Sequence, residues 1–133
     1  MAGAKMLKHI EMIIFAQKHV RPDWQFDFDS DLFAGFFEGL CRDMRQAGVE
    51  LKRRDSSDMV IHVNSYADLL NCVRLSSDEP GGVHCIGHVI GKSEHLNIME
   101  DLAAAVRRLA FAPETVAPAS EFRKVCHNCG CGC

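Results

Sequence analysis

The sequence has 133 residues, of which 47% are hydrophobic and 25% charged, so it is long enough and apolar enough for one globular domain with its own core. The formal net charge of −3 argues against a nucleic-acid or anionic-membrane surface, because such surfaces need clustered Lys and Arg. The short basic run 52–54 is followed by Asp55 and Asp58, and we expect it to form a solvated face.

No targeting or membrane segment is predicted. The apolar run near the N-terminus extends only from Met12 to Ala16, which is too short for a signal peptide or a membrane span. We therefore expect a cytosolic protein. In a reducing compartment an odd count of seven cysteines favours metal binding or thiol chemistry over structural disulfides.

The first part of the chain predicts a helix, a strand and a second helix. Residues 6–20 fit an amphipathic helix, although alternating apolar residues at 10–14 also fit a strand. Residues 24–29 alternate aromatic and polar side chains and predict a half-buried strand. A second helix begins at Ser30 or Asp31 and ends at Gly48, where a left-handed residue is expected.

The middle of the chain predicts two short strands, over residues 49–52 and 59–63, because the intervening residues 55–58 have a turn composition. Ser65 is expected to cap a helix whose apolar residues extend to Leu75.

The last predicted elements are a strand over residues 83–90 and a helix over residues 96–109. From residue 24 to residue 90 the order is strand, helix, strand, strand, helix, strand. This order predicts an α/β (α+β) fold with a ferredoxin-like split βαβ core and flanking N- and C-terminal helices. The alternative is a mostly helical bundle.

The chain divides into three parts by composition. Residues 1–111 are predicted to form the globular α/β domain. Residues 112–123 contain two prolines and small residues without periodicity, which indicates an extended linker. Residues 124–133 form a cysteine-rich tail.

The tail has the spacing C-x-x-C-x-C-x-C, with Cys126, Cys129, Cys131 and Cys133 as candidate metal ligands. The first two have the chelate spacing of zinc and iron–sulfur loops. The last three would lie about 6.6 Å apart in a straight strand, whereas two sulfurs on one zinc are about 3.8 Å apart, so the backbone must curl. The intervening glycines permit that curl. Thiolates select Zn(II), Cu(I) or an iron–sulfur cluster, and the spacing does not choose among them.

The stretch Val125-Cys126-His127-Asn128-Cys129-Gly130-Cys131 resembles the V-C-x-x-C-S-C metal loop of the nitrile hydratase α subunit family. The resemblance covers seven of the 133 residues, and Gly130 stands where the family has serine. In that family the three cysteines and two backbone amides hold a low-spin iron or cobalt. The resemblance implies that Cys126, Cys129 and Cys131 are ligands.

A second constellation, at residues 84–88, contains His84, Cys85 and His88, and His127 lies within the tail. On a helix the two histidines at 84 and 88 would share a face and could chelate one metal. On a strand they would lie about 13 Å apart, too far for a common ion. We keep these residues as secondary metal or active-site candidates beside their alternative as ordinary sheet residues. Cys41 and Cys72 are expected in the core.

No phosphate loop, nucleophile elbow or paired-carboxylate motif is present in the sequence, so a binding role is favoured over catalysis. The sequence predicts a protein that delivers, stores or senses a thiophilic metal centre for a protein partner. The alternatives are a thiol, persulfide or electron carrier acting through the tail cysteines, and a folded substrate whose tail is modified by a maturation enzyme. Homo-oligomerisation stays open.

Overall fold

The computed structural model describes residues 8–18, 22–78, 83–90 and 97–112, and these form a mixed α/β fold. The predicted fold class is therefore confirmed, and the alternative of a helical bundle is wrong. The strands are β1 (Lys8–Lys18), β2 (Val49–His62), β3 (Val73–Ser77) and β4 (Val83–Cys85). The helices are α1 (Asp31–Gln46), α2 (Tyr66–Asn71), α3 (Ile86–Ile90) and α4 (Ile98–Phe111), with a 3₁₀ turn at Pro22–Trp24.

The four described strands form one sheet in the order β2-β1-β3-β4. β1 runs parallel to β2 and antiparallel to β3, and β4 is antiparallel to β3. Because α1 connects two strands that lie side by side, the βαβ unit is contiguous. The predicted split βαβ plan would place another strand between them, and in this detail the sheet differs from the prediction.

The predicted N-terminal helix is wrong, because residues 8–18 form β1, the strand between β2 and β3. Its centre, Met12 to Phe15, is a run of four buried apolar residues, so both faces of the strand are covered. A strand buried on both faces loses the alternation of polar and apolar residues that identifies a half-buried strand. The apolar spacing of this segment therefore also matched a helix.

The predicted strand at residues 24–29 is also wrong. The segment is the end of the 3₁₀ turn followed by a loop, in which the aromatic rings alternate because they join one cluster. Phe26 and Phe28 meet with ring centroids 4.9 Å apart, and both pack edge-on against Phe33 of α1. The period of two arises here from packing around a single ring and not from a pleated backbone.

The two short strands predicted at 49–52 and 59–63 are one long strand, β2. The register passes from Phe15 opposite Ser56 directly to Ala16 opposite Val60, so three residues of β2 have no partner in β1. A bulge thus replaces the predicted turn at 55–58. The Asp and Ser residues that suggested a turn are also tolerated in a bulge, where the ladder is locally broken.

Two further boundaries differ from the prediction. The helix that begins at Tyr66 ends at Asn71, and residues 73–77 form β3 instead of its last turns. The strand predicted over 83–90 ends at Cys85 and continues as α3. Among the described pairings, only residues 83–85 find partners on β3, and the helix takes over where the pairing ends.

The capping predictions for α1 and α2 are confirmed. The hydroxyl oxygens of Ser30 and Ser65 accept hydrogen bonds from the backbone amides three residues later, each at 3.2 Å. Gly48 follows α1 with a φ of 83°, the left-handed conformation that glycine adopts at little cost.

The predicted C-terminal flanking helix is α4, which begins after the cap residue Asn97. Its buried residues include Leu102, Val106 and Leu109. The ammonium of Lys8 donates to the carbonyl of Ala110 at 2.7 Å and ties the start of β1 to the end of α4.

Candidate functional site

The four tail cysteines and His127 lie outside the residues that the structure describes. The predicted metal loop of Cys126, Cys129, Cys131 and Cys133 therefore stays a prediction. The structure does describe the positions of the other cysteines and histidines, and these positions determine whether they can ionise or bind a metal.

The secondary candidates fall on two elements. His84 and Cys85 are the last residues of β4 and are 1% and 0% exposed, whereas His88 belongs to α3. The single strand on which His84 and His88 would share a face is thus wrong. Within the described ranges, no group of three or more His, Cys, Asp or Glu side chains is placed to hold a metal ion. The structure does not describe the side chain of His88, so its role as a ligand stays a prediction.

Two thiols, of Cys72 and Cys85, interact with the guanidinium of Arg74. Arg74 on β3 is paired with Cys85 on β4 and with Ile13 on β1, and residues directly opposite in antiparallel strands project to the same side. Cys72 caps the end of α2 directly before β3 and interacts electrostatically with Arg74, as Cys85 does. The Arg74 guanidinium lies 5.9 Å from the centroid of the Phe15 ring, in cation–π geometry.

Burial is the main influence on the pKa values of the Cys72 thiol and the Arg74 guanidinium. It raises the pKa of the Cys72 thiol to about 12, with a further rise from Asp68 and a smaller opposing effect of Arg74. Burial also lowers the pKa of Arg74, and electrostatic interaction with Cys85 and Cys72 partly offsets this. Cys72 is therefore a neutral thiol at physiological pH, and its sulfur lies 3.6 Å from the Asp68 carbonyl oxygen as a weak donor.

Cys41 is less buried than Cys72. It is half-buried on α1, and its thiol donates to the carbonyl of Leu51 at 3.4 Å. Burial raises its pKa, Arg45 lowers it and Glu38 raises it, with a net increase. The expectation that Cys72 belongs to the core is confirmed, whereas Cys41 packs at its edge.

A polar crevice of about 430 Å³ lies where β1 ends and the loop into α1 begins. Its lining includes Asp27, Asp29, Asp55 and the bulge residue Ser57, and Arg53 crosses it. The Arg53 guanidinium donates to Asp55 at 2.8 Å and to Asp29 at 3.0 Å. A third bond, at 2.8 Å, goes to the Phe28 carbonyl, so one side chain joins β2 to the loop.

Burial disfavours the charge of Arg53, but the hydrogen bonds and attraction to Asp55 and Asp29 outweigh it and raise its pKa. Its side chain is only 25% exposed, against 67% for Lys52 and 46% for Arg54. The prediction that the whole basic run 52–54 is a solvated face is therefore wrong for Arg53. The missed signal is strand period: Arg53 stands two residues after the buried Leu51 and shares its face.

The carboxylates of this crevice already have partners. Asp29 and Asp55 bind the guanidinium, and Asp27 accepts a hydrogen bond from the amide of Asp29 at 2.8 Å. The helix is capped by Ser30, one of the two residues at which it was predicted to begin. The crevice fixes the path of the loop and, on these contacts, is a structural feature.

A buried polar link joins α2 to α4. The Tyr66 hydroxyl donates to the Asp101 carboxylate, and both residues are less than 10% exposed, at 7% and 5%. Trp24 packs against Tyr66 with ring centroids 5.6 Å apart. Sequence reasoning missed this pair, since a tyrosine at a helix start and an aspartate in a first turn are both common on surfaces.

Comparison with protein-family models, with curated proteins and with solved structures finds no match to this chain. In the described part of the chain, no helix combines the length and the apolar character that crossing a membrane requires.

Proposed function

We propose that this protein binds a thiophilic metal or an iron–sulfur cluster through Cys126, Cys129, Cys131 and Cys133, and delivers, stores or senses that centre for a protein partner in the cytosol. The observation that carries the proposal is the spacing C-x-x-C-x-C-x-C within eight residues. Cys126 and Cys129 supply the chelate pair, and the other two add soft donors next to it.

The glycines of the segment support this role. Gly130 and Gly132 separate the last three cysteines, and a glycine adopts the turns that bring neighbouring sulfurs to one ion. Because glycine has no side chain, its backbone N–H is open to donate a hydrogen bond to metal-bound sulfur, and such bonds tune the affinity and potential of these centres.

The cysteines of the body give a second line of support. Thiolates, not thiols, bind metals, and burial raises the pKa of Cys72 to about 12 and that of Cys41 above its usual value. Cys85 is 0% exposed. Ion capture by Cys72 or Cys85 would require a thiolate in the buried interior, which is costly. The densest set of cysteines in the sequence is therefore also the set best suited to ligation.

The test is the metal content and absorption spectrum of the full chain, purified anaerobically under reducing conditions. A brown protein with absorption in the visible and with iron and sulfide bound indicates a cluster. A colourless protein with bound metal indicates Zn(II) or Cu(I). A chain that retains no metal after reconstitution with iron and sulfide, Zn(II) or Cu(I) would contradict the proposal and favour a thiol or persulfide carrier.

A further inference from the structure

An open apolar groove lies between α1 and α4. It has a volume of about 850 Å³, and Phe36 of α1 and Met99 and Ala103 of α4 contribute to its lining. Leu32 stands at its edge and is 65% exposed, the most exposed large apolar side chain among the described residues. An exposed leucine beside an apolar groove supplies the two complementary parts of a contact that a protein partner would bury.

Two glycines on α1 have no explanation within the described fold. Gly35 lines the groove and Gly39 follows one helical turn later. A Cβ built at either position meets no atom within 4 Å, and neither residue is among those with a positive φ. Glycine inside a helix is unfavourable relative to alanine, and the close packing of a second chain on this side of α1 would offset that cost.

The charged residues that α4 contributes to the groove would pair with opposite charges on a second, antiparallel copy of the same helix. On α4, Glu100 and Arg107 lie seven residues apart on one face, with the small residues Ala103 and Ala104 midway between them. An antiparallel second α4 crossing at that midpoint would place each Glu100 opposite the other copy's Arg107. Within each copy Arg107 also forms an ion pair with Asp43 of α1, at 3.8 Å, and the contact with Glu100 of the other copy would add to it.

We propose that the α1/α4 face is a two-fold homodimer interface, in which Leu32 of each copy enters the groove of the other and the α4 helices cross at Ala103–Ala104. The observations above fit a two-fold interface, where one patch must complement itself. This inference does not depend on the proposed metal function. It concerns a different surface and is tested with the metal removed.

The first experiment measures the dimer dissociation constant of the full chain by sedimentation, with reductant and chelator present so that the cysteines cannot link two copies. Leu32→Glu is expected to raise that constant at least about 100-fold, since a buried carboxylate replaces a central apolar contact in both copies. Ala34→Glu is the matched control, because it adds the same charge on the exposed opposite flank of α1 and should leave the constant unchanged.

The second experiment uses Gly35→Ala, for which stability and association should move in opposite directions. In the monomer the added methyl group meets open space and improves helix propensity, so the melting temperature should rise by about 4 °C. In the dimer the same methyl group separates the helices and should weaken association at least about tenfold. Folding failure cannot produce this pair of results.

The third experiment reverses charges. Arg107→Glu should weaken the dimer, and combining it with Glu100→Arg should restore association by exchanging the two ends of each pair. A chain that is monomeric up to its solubility limit would overturn the proposal. So would a dimer that persists unchanged in Leu32→Glu, or a double reversal that associates no better than Arg107→Glu alone.

Discussion

The cysteines of this protein occur in two contrasting settings. Cys41, Cys72 and Cys85 belong to the folded body, where they are buried or half-buried among apolar side chains. The other four fall within eight residues, separated only by His127, Asn128 and two glycines. A thiol buried among apolar side chains behaves as a small hydrophobe, whereas thiols among glycines and polar residues can ionise and bind metals, so we expect the two sets to differ in their chemistry.

The largest expected difference is in alkylation rate. With a pKa of about 12 for Cys72 and an ordinary value near 8.5 for an exposed cysteine, the thiolate fractions at pH 7.5 differ on the order of 10³-fold. Iodoacetamide labelling of the metal-free, reduced protein, followed by mass spectrometry, should modify Cys126 to Cys133 first and Cys72 at least about 10³-fold more slowly. Equal rates would show that the body thiols are accessible and would remove the contrast.

Metal affinity should differ less than the alkylation rate between variants of the cysteines at 126–133 and variants of the cysteines in the body. Cys126→Ser or Cys129→Ser breaks the only pair with a two-residue spacing and should lower affinity at least about 100-fold in competition with a chelator of known affinity. Cys133→Ser, outside that pair, should cost less. Cys41→Ser is the control with the same chemical change in the body. If all four segment variants retain metal as the parent does, the segment is not the metal site.

The free energy of unfolding should fall more when a buried cysteine is replaced than when a cysteine of residues 126–133 is replaced. Cys72→Ser places a hydroxyl at a position that is 0% exposed, and we expect a loss of about 1–3 kcal/mol in the free energy of unfolding. The same exchange at Cys126, measured without metal by urea denaturation, should change stability by less than about 0.5 kcal/mol. Comparable losses at both positions would mean that the segment contributes to the core.

The pH dependence of stability tests the buried thiol directly. The folded pKa of Cys72 lies above its unfolded value, so its contribution is complete below about pH 9 and is lost as pH rises towards 12. Between these limits the parent should lose about 1.4 kcal/mol per pH unit more than Cys72→Ala. The measurement is urea denaturation of both proteins at pH 8, 9 and 10, and parallel curves would contradict the raised pKa.

The smallest expected effect is that of removing the cysteine segment altogether. A chain ending at Ser120 should keep the melting temperature of the metal-free parent, because no apolar periodicity continues beyond Phe111. Calorimetry of both proteins in chelator decides this. A fall of several degrees would place residues after 120 in contact with the body.

The sequence was most informative where one physical signal acted alone. Ser30, Ser65 and Gly48 were predicted from capping chemistry and lie where expected, because a cap depends on a few consecutive residues. The amphipathic helices α1 and α4 were likewise predicted from one polar and one apolar side.

Prediction failed where tertiary contacts override local pattern. The alternation at residues 10–14 was too weak to identify β1, because both faces of the strand are buried from Met12 to Phe15, and the alternation at 24–29 comes from rings packed on Phe33. The position of Arg53 depends on Asp29, which lies 24 residues earlier in the chain. No local pattern encodes such a pairing.

The central position of β1 has a consequence for how the chain folds during synthesis. Its parallel partner starts about forty residues later and its antiparallel partner about sixty, so each described pairing of β1 is non-local and slow to form. Until the ribosome has released β3, which begins at Val73, one edge of the apolar run from Met12 to Phe15 has no strand to pair with. Nascent chains that stop earlier therefore expose the strand most prone to aggregate, and we expect chaperones to bind it there.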